Sequence, residues 1–139
     1  MGGDTPNIYP GLYYRDAPAA IEWLTKAFGF EKVMVVPGEN GTVAHAELRY
    51  GPGIIMLGSA GNQPGSKSPL DVDGATCGIY IYVDDAELPA HYQRAKAAGA
   101  SIYRELERKD YGGSSYSAHD PESHEWSFGS YVPGDPENA

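Results

Sequence analysis

One order of elements occurs twice along this chain, and it limits the folds open to it more than any other feature. The first copy opens with a strand-like run over 8–14. A helix follows over 17–28, with Asp16 as N-cap, Pro18 in the first turn and Gly29 as the stop. Ile21, Leu24 and Phe28, with Ala20 and Ala27 beside them, recur at helical spacing on one face. Three strand-like runs come next, over 31–36, 42–50 and 53–57. The second copy repeats the order. A strand over 78–83 leads into a helix over 86–98, capped by Asp84 or Asp85, faced by Leu88, Tyr92 and Ala95, and ended by Gly99. Strands over 101–107, 114–119 and 125–131 complete it. Sliding the chain by 69 residues sets Asp16 on Asp85, Tyr14 on Val83 and Leu12 on Ile81.

A β-α-β-β-β order repeated in this way predicts an α+β protein of two similar halves packed about a pseudo-twofold. The length of 139 residues suits a single domain, and 41% apolar residues are enough for a packed core. Within 1–139, module one covers about 7–58 and module two about 76–131. The 59–75 linker is rich in Gly, Pro, Ser and Asn and is expected to be a mobile connection or lid. The tail after Tyr131, Val132-Pro133-Gly134-Asp135-Pro136, cannot continue a ladder and is expected to be loose.

The net charge of −9 opposes phosphate backbones and anionic lipid, and no Lys/Arg cluster overrides it. Neither nucleic acid nor a membrane is therefore an expected partner. Cys77 is the one cysteine, so an internal disulfide and a cysteine-rich zinc site are excluded; it is expected to pack as a small hydrophobe. Met1-Gly2-Gly3-Asp4 offers neither a basic nor an apolar leader, and the expected location is cytoplasmic. Phosphate-loop, dinucleotide, zincin and nucleophile-elbow motifs are all missing.

Two runs carry a resemblance. Asp16-Ala-Pro-Ala-Ala-Ile-Glu-Trp-Leu-Thr-Lys-Ala-Phe-Gly-Phe30 resembles the first-helix signature of the vicinal oxygen chelate superfamily, which unites glyoxalases, bleomycin-resistance proteins and dioxygenases. Tyr111-Gly-Gly, followed by Asp120-Pro-Glu-Ser-His-Glu-Trp-Ser-Phe128, resembles its closing hairpin. The resemblance spans nearly the whole chain. It implies two βαβββ modules forming a half-open eight-stranded mixed sheet or barrel, with the helices outside. Metal-dependent members hold four ligands, usually His, Gln or Glu, on the first and fourth strands of each half. Here those positions carry Tyr9, Met56, Gly78 and Ser127. A phenol, a thioether, a hydrogen and a hydroxyl are poor ligands for a divalent ion, so no metal and no other cofactor is expected.

Side chains alternate between faces along a strand. If Tyr9 faces the cup, Gly11 and Tyr13 do too; if Gly78 does, so do Tyr80 and Tyr82, while Ile79, Ile81 and Val83 face the helix. In the 42–50 run, Ala44, Ala46 and Leu48 form the apolar face, opposite Val43, His45, Glu47 and Arg49. The expected ligand-binding set is Tyr9, Tyr13, His45, Met56, Tyr80, Tyr82 and Ser127, with His45 and Glu47 as the candidate acid–base pair. The plainer alternatives are tyrosines that only cover an open sheet and a His45–Glu47 surface pair on an edge strand. His119 and His124 flank the 120–123 turn and are expected to be solvated; His91 is expected to be exposed on its helix. Glu105, Glu107, Glu122 and Glu125 look like ordinary solvated charge.

The leading functional reading is a protein that sequesters a planar or aromatic small molecule without metal or chemistry, resembling bleomycin-resistance proteins and hence antibiotic resistance. A metal-free isomerase or lyase using His45 and Glu47 is the alternative. A metal-dependent lyase or dioxygenase is the third. A homodimer is expected, since family members commonly form one.

Overall fold

The computed structural model describes residues 5–110 and 112–135. Residues 1–4 and 136–139, and Tyr111 of the Tyr111-Gly-Gly run, lie outside the described residues. The chain divides into two compact units, with the division between Gly74 and Ala75.

The first unit runs β1 (Gly11–Tyr14), α1 (Ala17–Phe28), β2 (Glu31–Pro37), β3 (Val43–Tyr50), β4 (Gly53–Ser59) and a short α2 (Pro69–Val72). Its strands form one mixed sheet in the order β1-β4-β3-β2, with β1 parallel to β4 and the other pairs antiparallel. The bounds of α1 are those the sequence predicts, because its ends are chemically marked. The Ala19 amide donates to Asp16 Oδ1 at 3.1 Å, and Gly29 takes the left-handed conformation (φ 85°) that ends the helix. Ala17, Ala20, Ile21, Leu24, Ala27 and Phe28 are buried, as are Leu12, Tyr14, Ala46, Leu48, Ile55 and Leu57 on the sheet.

The second unit runs β5 (Gly78–Tyr82), α3 (Leu88–Ala97), β6 (Ser101–Arg108), β7 (Ser114–His119) and β8 (Glu125–Gly129). Its sheet has the order β5-β8-β7-β6, again with the first strand parallel to the last and the rest antiparallel. The core consists of Val83, Leu88, Tyr92, Ala95, Tyr116, Ala118, Trp126 and Phe128. The α+β class and the doubled βαβββ order are therefore both present.

Several expectations need correction. The first strand starts at Gly11 rather than at residue 8, and Tyr9 precedes it. Pro10 has no amide hydrogen for a ladder, although its carbonyl accepts from the Met56 amide at 2.8 Å. Ala44 is exposed and Val43 buried, the reverse of simple alternation. The cause is a register shift between Val36 and Pro37: Val36 pairs with His45 but Pro37 with Val43, so Ala44 is the extra residue. The Val43 amide instead donates to Ser59 Oγ (2.9 Å), and its carbonyl accepts from Asn62 Nδ2 (2.7 Å).

Helix α3 starts at Leu88, two residues late, and Glu87 caps it without a side-chain bond. Asp84 and Asp85 are occupied elsewhere. Asp84 accepts from the Tyr82 hydroxyl, and Asp85 accepts from Ser130 Oγ (2.9 Å) and from Arg108 (3.0 Å). The hydrogen bond from Ser130, assisted by the Arg108 charge, holds the Asp85 carboxyl below the usual carboxylate range. His91 is buried, at 9% exposure, with Nδ1 2.6 Å from the Tyr116 hydroxyl and its ring 4.4 Å from that of Phe128. Glu122 is buried and Cys77 is exposed, each opposite to expectation. The 59–75 stretch holds a helical turn with a reciprocal cap: Leu70 N–H donates to Ser68 Oγ and Ser68 N–H to Asp71 Oδ2.

Candidate functional site

Each sheet packs one face under its long helix and leaves the other face more open. Directly paired residues on neighbouring strands share a face, so register assigns the open-face side chains. In the first unit Met56 on β4 lies beside Gly11 on one side and Glu47 on the other, and Glu47 in turn pairs with Met34. His45 stands two residues from Glu47 on β3, and its Nε2 lies 2.8 Å from Glu47 Oε2. Strand β3 is interior to the sheet, so the pair is not the edge-strand pair of the plainer reading. Tyr13 is half-buried on β1. Tyr9 is also half-buried but lies ahead of the ladder, its hydroxyl donating to the Pro6 carbonyl, so strand alternation does not orient it.

In the second unit Tyr80 pairs with Ser127, and Ser127 with Ser117; the two serine hydroxyls are 2.7 Å apart. Tyr80 and Tyr82 are 37% and 45% exposed, while Ile79, Ile81 and Val83 alternate with them and are more enclosed. The Tyr80 hydroxyl donates to the Tyr131 carbonyl at 2.6 Å, and that reach needs Gly129. A Cβ at Gly129 would stand 2.7 Å from the Tyr80 hydroxyl and 2.9 Å from the Ser115 Cβ. The Tyr82 hydroxyl donates to Asp84 Oδ1 at 2.5 Å. That hydrogen bond first, then desolvation and the nearby acidic charges, raise the Tyr82 phenol above its ordinary range.

The site residues expected from the sequence thus fall into two groups, each within its own unit: His45, Glu47 and Met56, with Tyr13, and Tyr80, Tyr82 and Ser127. Among the described residues no three His, Cys, Asp or Glu side chains gather as a metal site would require. Tyr9, Met56, Gly78 and Ser127, the four positions that the resemblance implies for metal ligands, carry a phenol, a thioether, no side chain and a hydroxyl, a donor set poorly suited to a hard or borderline divalent ion.

Sequence reasoning passed over one cluster. His119 and Glu125 pair directly across β7 and β8, with Nε2 3.2 Å from Oε2, and the Tyr103 ring lies 4.3 Å from that of His119, tilted by 30°. The signal was in the spacing: a tight turn over 120–124 sets residue 119 opposite 125. Asp120 builds that turn. Its Oδ1 accepts from the amides of Glu122 (3.0 Å) and His124 (3.1 Å), and its Oδ2 from Trp126 Nε1 (3.0 Å).

Two four-stranded mixed sheets with this doubled order, and open faces bearing polar and aromatic side chains, define a protein of the glyoxalase/bleomycin-resistance fold. The chain belongs to the Glyoxalase/Bleomycin resistance protein/Dioxygenase superfamily, whose family model matches residues 8–128. An uncharacterised protein of Mycobacterium bovis is 35% identical over 130 residues, covering 91% of this chain and 84% of the relative. The crystal structure of TioX from Micromonospora sp. ML1 is similar at a TM-score of 0.71 and 33% identity, covering 94% of this chain and 99% of TioX. A manganese complex of the fosfomycin resistance protein FosX from Listeria monocytogenes also has a TM-score of 0.71, covering 93% of this chain and 92% of FosX. At 16% identity that likeness shows the fold alone. No helix among the described residues is long and apolar enough to cross a membrane.

Proposed function

We propose that this protein binds a planar or aromatic small molecule on its tyrosine-bearing sheet faces, without a metal, in the manner of the bleomycin-resistance proteins of its superfamily, and that it does so as a homodimer. The observation that carries the reading is the placement of Tyr80 and Tyr82. Both stand on the open face of β5, more than a third exposed, with Tyr80 beside the small Ser127. Large aromatic rings left uncovered in this way offer stacking surface. The donor set at the family's ligand positions supports the metal-free part.

A second reading is favoured by one contact. The 2.8 Å bond between His45 and Glu47 fixes a histidine beside a carboxylate, the arrangement a metal-free isomerase or lyase needs for proton transfer.

The test pairs two variants in a buffer containing EDTA. Tyr80→Ala is expected to weaken binding of a planar aromatic ligand about tenfold while the fold is kept, at a modest cost of about 1 kcal/mol for the lost hydrogen bond to the Tyr131 carbonyl. Ile81→Ala, on the helix side and partly buried, is expected to cost about 1–2 kcal/mol of stability, more than Tyr80→Ala. Unchanged affinity in Tyr80→Ala, or binding abolished by the chelator, sinks the reading.

A further inference from the structure

The open face of the second unit carries an acceptor site that the tyrosines do not explain. Register sets Gly78, Glu125, His119 and Ser101 in one row across β5, β8, β7 and β6. The next row holds Tyr80, Ser127, Ser117 and Arg104. A carboxylate only accepts hydrogen bonds, so in the 3.2 Å contact with Glu125 the hydrogen sits on His119 Nε2. His119 is then held from two sides, by Glu125 at its Nε2 edge and by the Tyr103 ring at 4.3 Å. Tyr103 reaches it because β6 is irregular there. Register shifts between Ile102 and Arg104 and leaves Tyr103 outside the regular pairing.

Among the described residues His119 is the one ion-pair partner of Glu125, and it engages one carboxylate oxygen. The other flank of Glu125 is Gly78, which has no side chain to cover it. A Cβ there would lie 3.7 Å from the Glu125 Cβ, and a longer side chain would extend over the carboxylate. The row thus presents a half-exposed carboxylate, oriented on one side and open on the other, with Tyr80 one row away.

We propose that Glu125, oriented by His119 and Tyr103, anchors the donor edge of a planar cationic amino-heterocycle, a ring bearing two adjacent N–H groups. This names the ligand class for the site under Proposed function and rests on that reading. A carboxylate matches two parallel N–H donors in a fork, and such charge-assisted pairs are stronger than neutral ones. The net charge of −9 favours a cation over an anion at the same face.

The probes are 2-aminobenzimidazole, which carries the donor edge, and 2-methylbenzoxazole, which has the same outline and no N–H. Calorimetry with the full chain is expected to show the amino compound binding about tenfold tighter or better. Glu125→Gln is expected to erase that preference by weakening only the amino compound, with an unchanged far-ultraviolet spectrum and melting temperature. In NMR titrations the His119 ring signals are expected to shift with the amino compound and not with the oxazole. Equal affinities for the two probes, or a preference that survives Glu125→Gln, overturn the anchor and leave the planar-ligand reading standing. A preference that depends on Glu125 but is indifferent to Tyr80→Ala supports the anchor and removes the tyrosines from the site. If neither probe binds at millimolar concentration, both the planar-ligand reading and the anchor fall.

Discussion

At the scale of single residues, Asp120 shows how one side chain sets the geometry of a candidate site it does not enter. Its carboxylate accepts from two turn amides and from the fully buried Trp126 indole, and so fixes the hairpin that places His119 opposite Glu125. Replacing it with alanine leaves the Trp126 N–H without this acceptor inside the core. Asp120→Ala is therefore expected to destabilise the protein by about 2–3 kcal/mol, with Asp120→Asn recovering part of the loss. Urea denaturation of the three proteins measures it, and an unchanged midpoint in the alanine variant contradicts the role. The same segment shows what a sequence conceals. The Asp120-Pro121 turn was legible, but the partners of its carboxylate were not, because they depend on how the chain closes on itself. His91 makes the same point. Leu88, Tyr92 and Ala95 mark the buried face by their spacing, yet a histidine joins them because the Tyr116 hydroxyl satisfies its ring nitrogen there.

At the scale of elements, local chemistry decides what can be foreseen. Helix α1 was legible to the residue because Asp16 and Gly29 mark its ends, whereas the start of α3 was not, because both candidate caps bond elsewhere. Strand β3 was placed correctly and Ala46 and Leu48 lie on its buried face as expected, but Ala44 and Val43 exchange faces at its start, where Ser59 and Asn62 bond Val43 beside the bulge. Helix α2 was missed although Ser68 and Asp71 have the spacing of a capping box. Its Asp71 carboxyl is held below the ordinary carboxylate range, first by the Ser68 amide and then by Arg15 at 2.7 Å. A carboxyl whose folded pKa is lowered stabilises the fold above its unfolded pKa and loses that contribution as pH falls through the lowered value. Asp71→Asn is accordingly expected to lower the melting temperature at neutral pH, with the gap to the parent closing as the pH drops below about 4. Melts across the acid range check it. A gap that persists undiminished at the acid end would mean the charge is not what Asp71 contributes.

At the scale of the whole molecule, charge and edge strands bear on the homodimer that is proposed above. Each sheet has one outer strand of the same rank, β2 in the first unit and β6 in the second. They are protected differently. Strand β6 carries Arg104, Glu105, Glu107 and Arg108, the kind of charged edge that discourages pairing with another chain. Strand β2 carries Val33, Met34, Val35 and Val36 in succession, all about two-fifths exposed. Beside it Ile21, Val35 and Val43 help to line a groove of about 540 Å³ on the α1 side of the sheet. An apolar edge of this kind is unfavourable in water and suits burial against a second copy. The charge of −9 on each chain opposes that step, and salt screens the repulsion over a Debye length of about 10 Å at 0.1 M. Two effects of opposite sign therefore bear on one equilibrium: apolar burial, which salt does not weaken, and repulsion, which it does. Light scattering at tens of micromolar is expected to show a dimer whose proportion rises from low to moderate ionic strength. Val35→Lys is expected to shift it to monomer, because the new charge would have to be buried among apolar side chains. If the parent protein stays monomeric at both salt concentrations, or Val35→Lys dimerises as well as the parent, β2 is not the surface through which two copies associate.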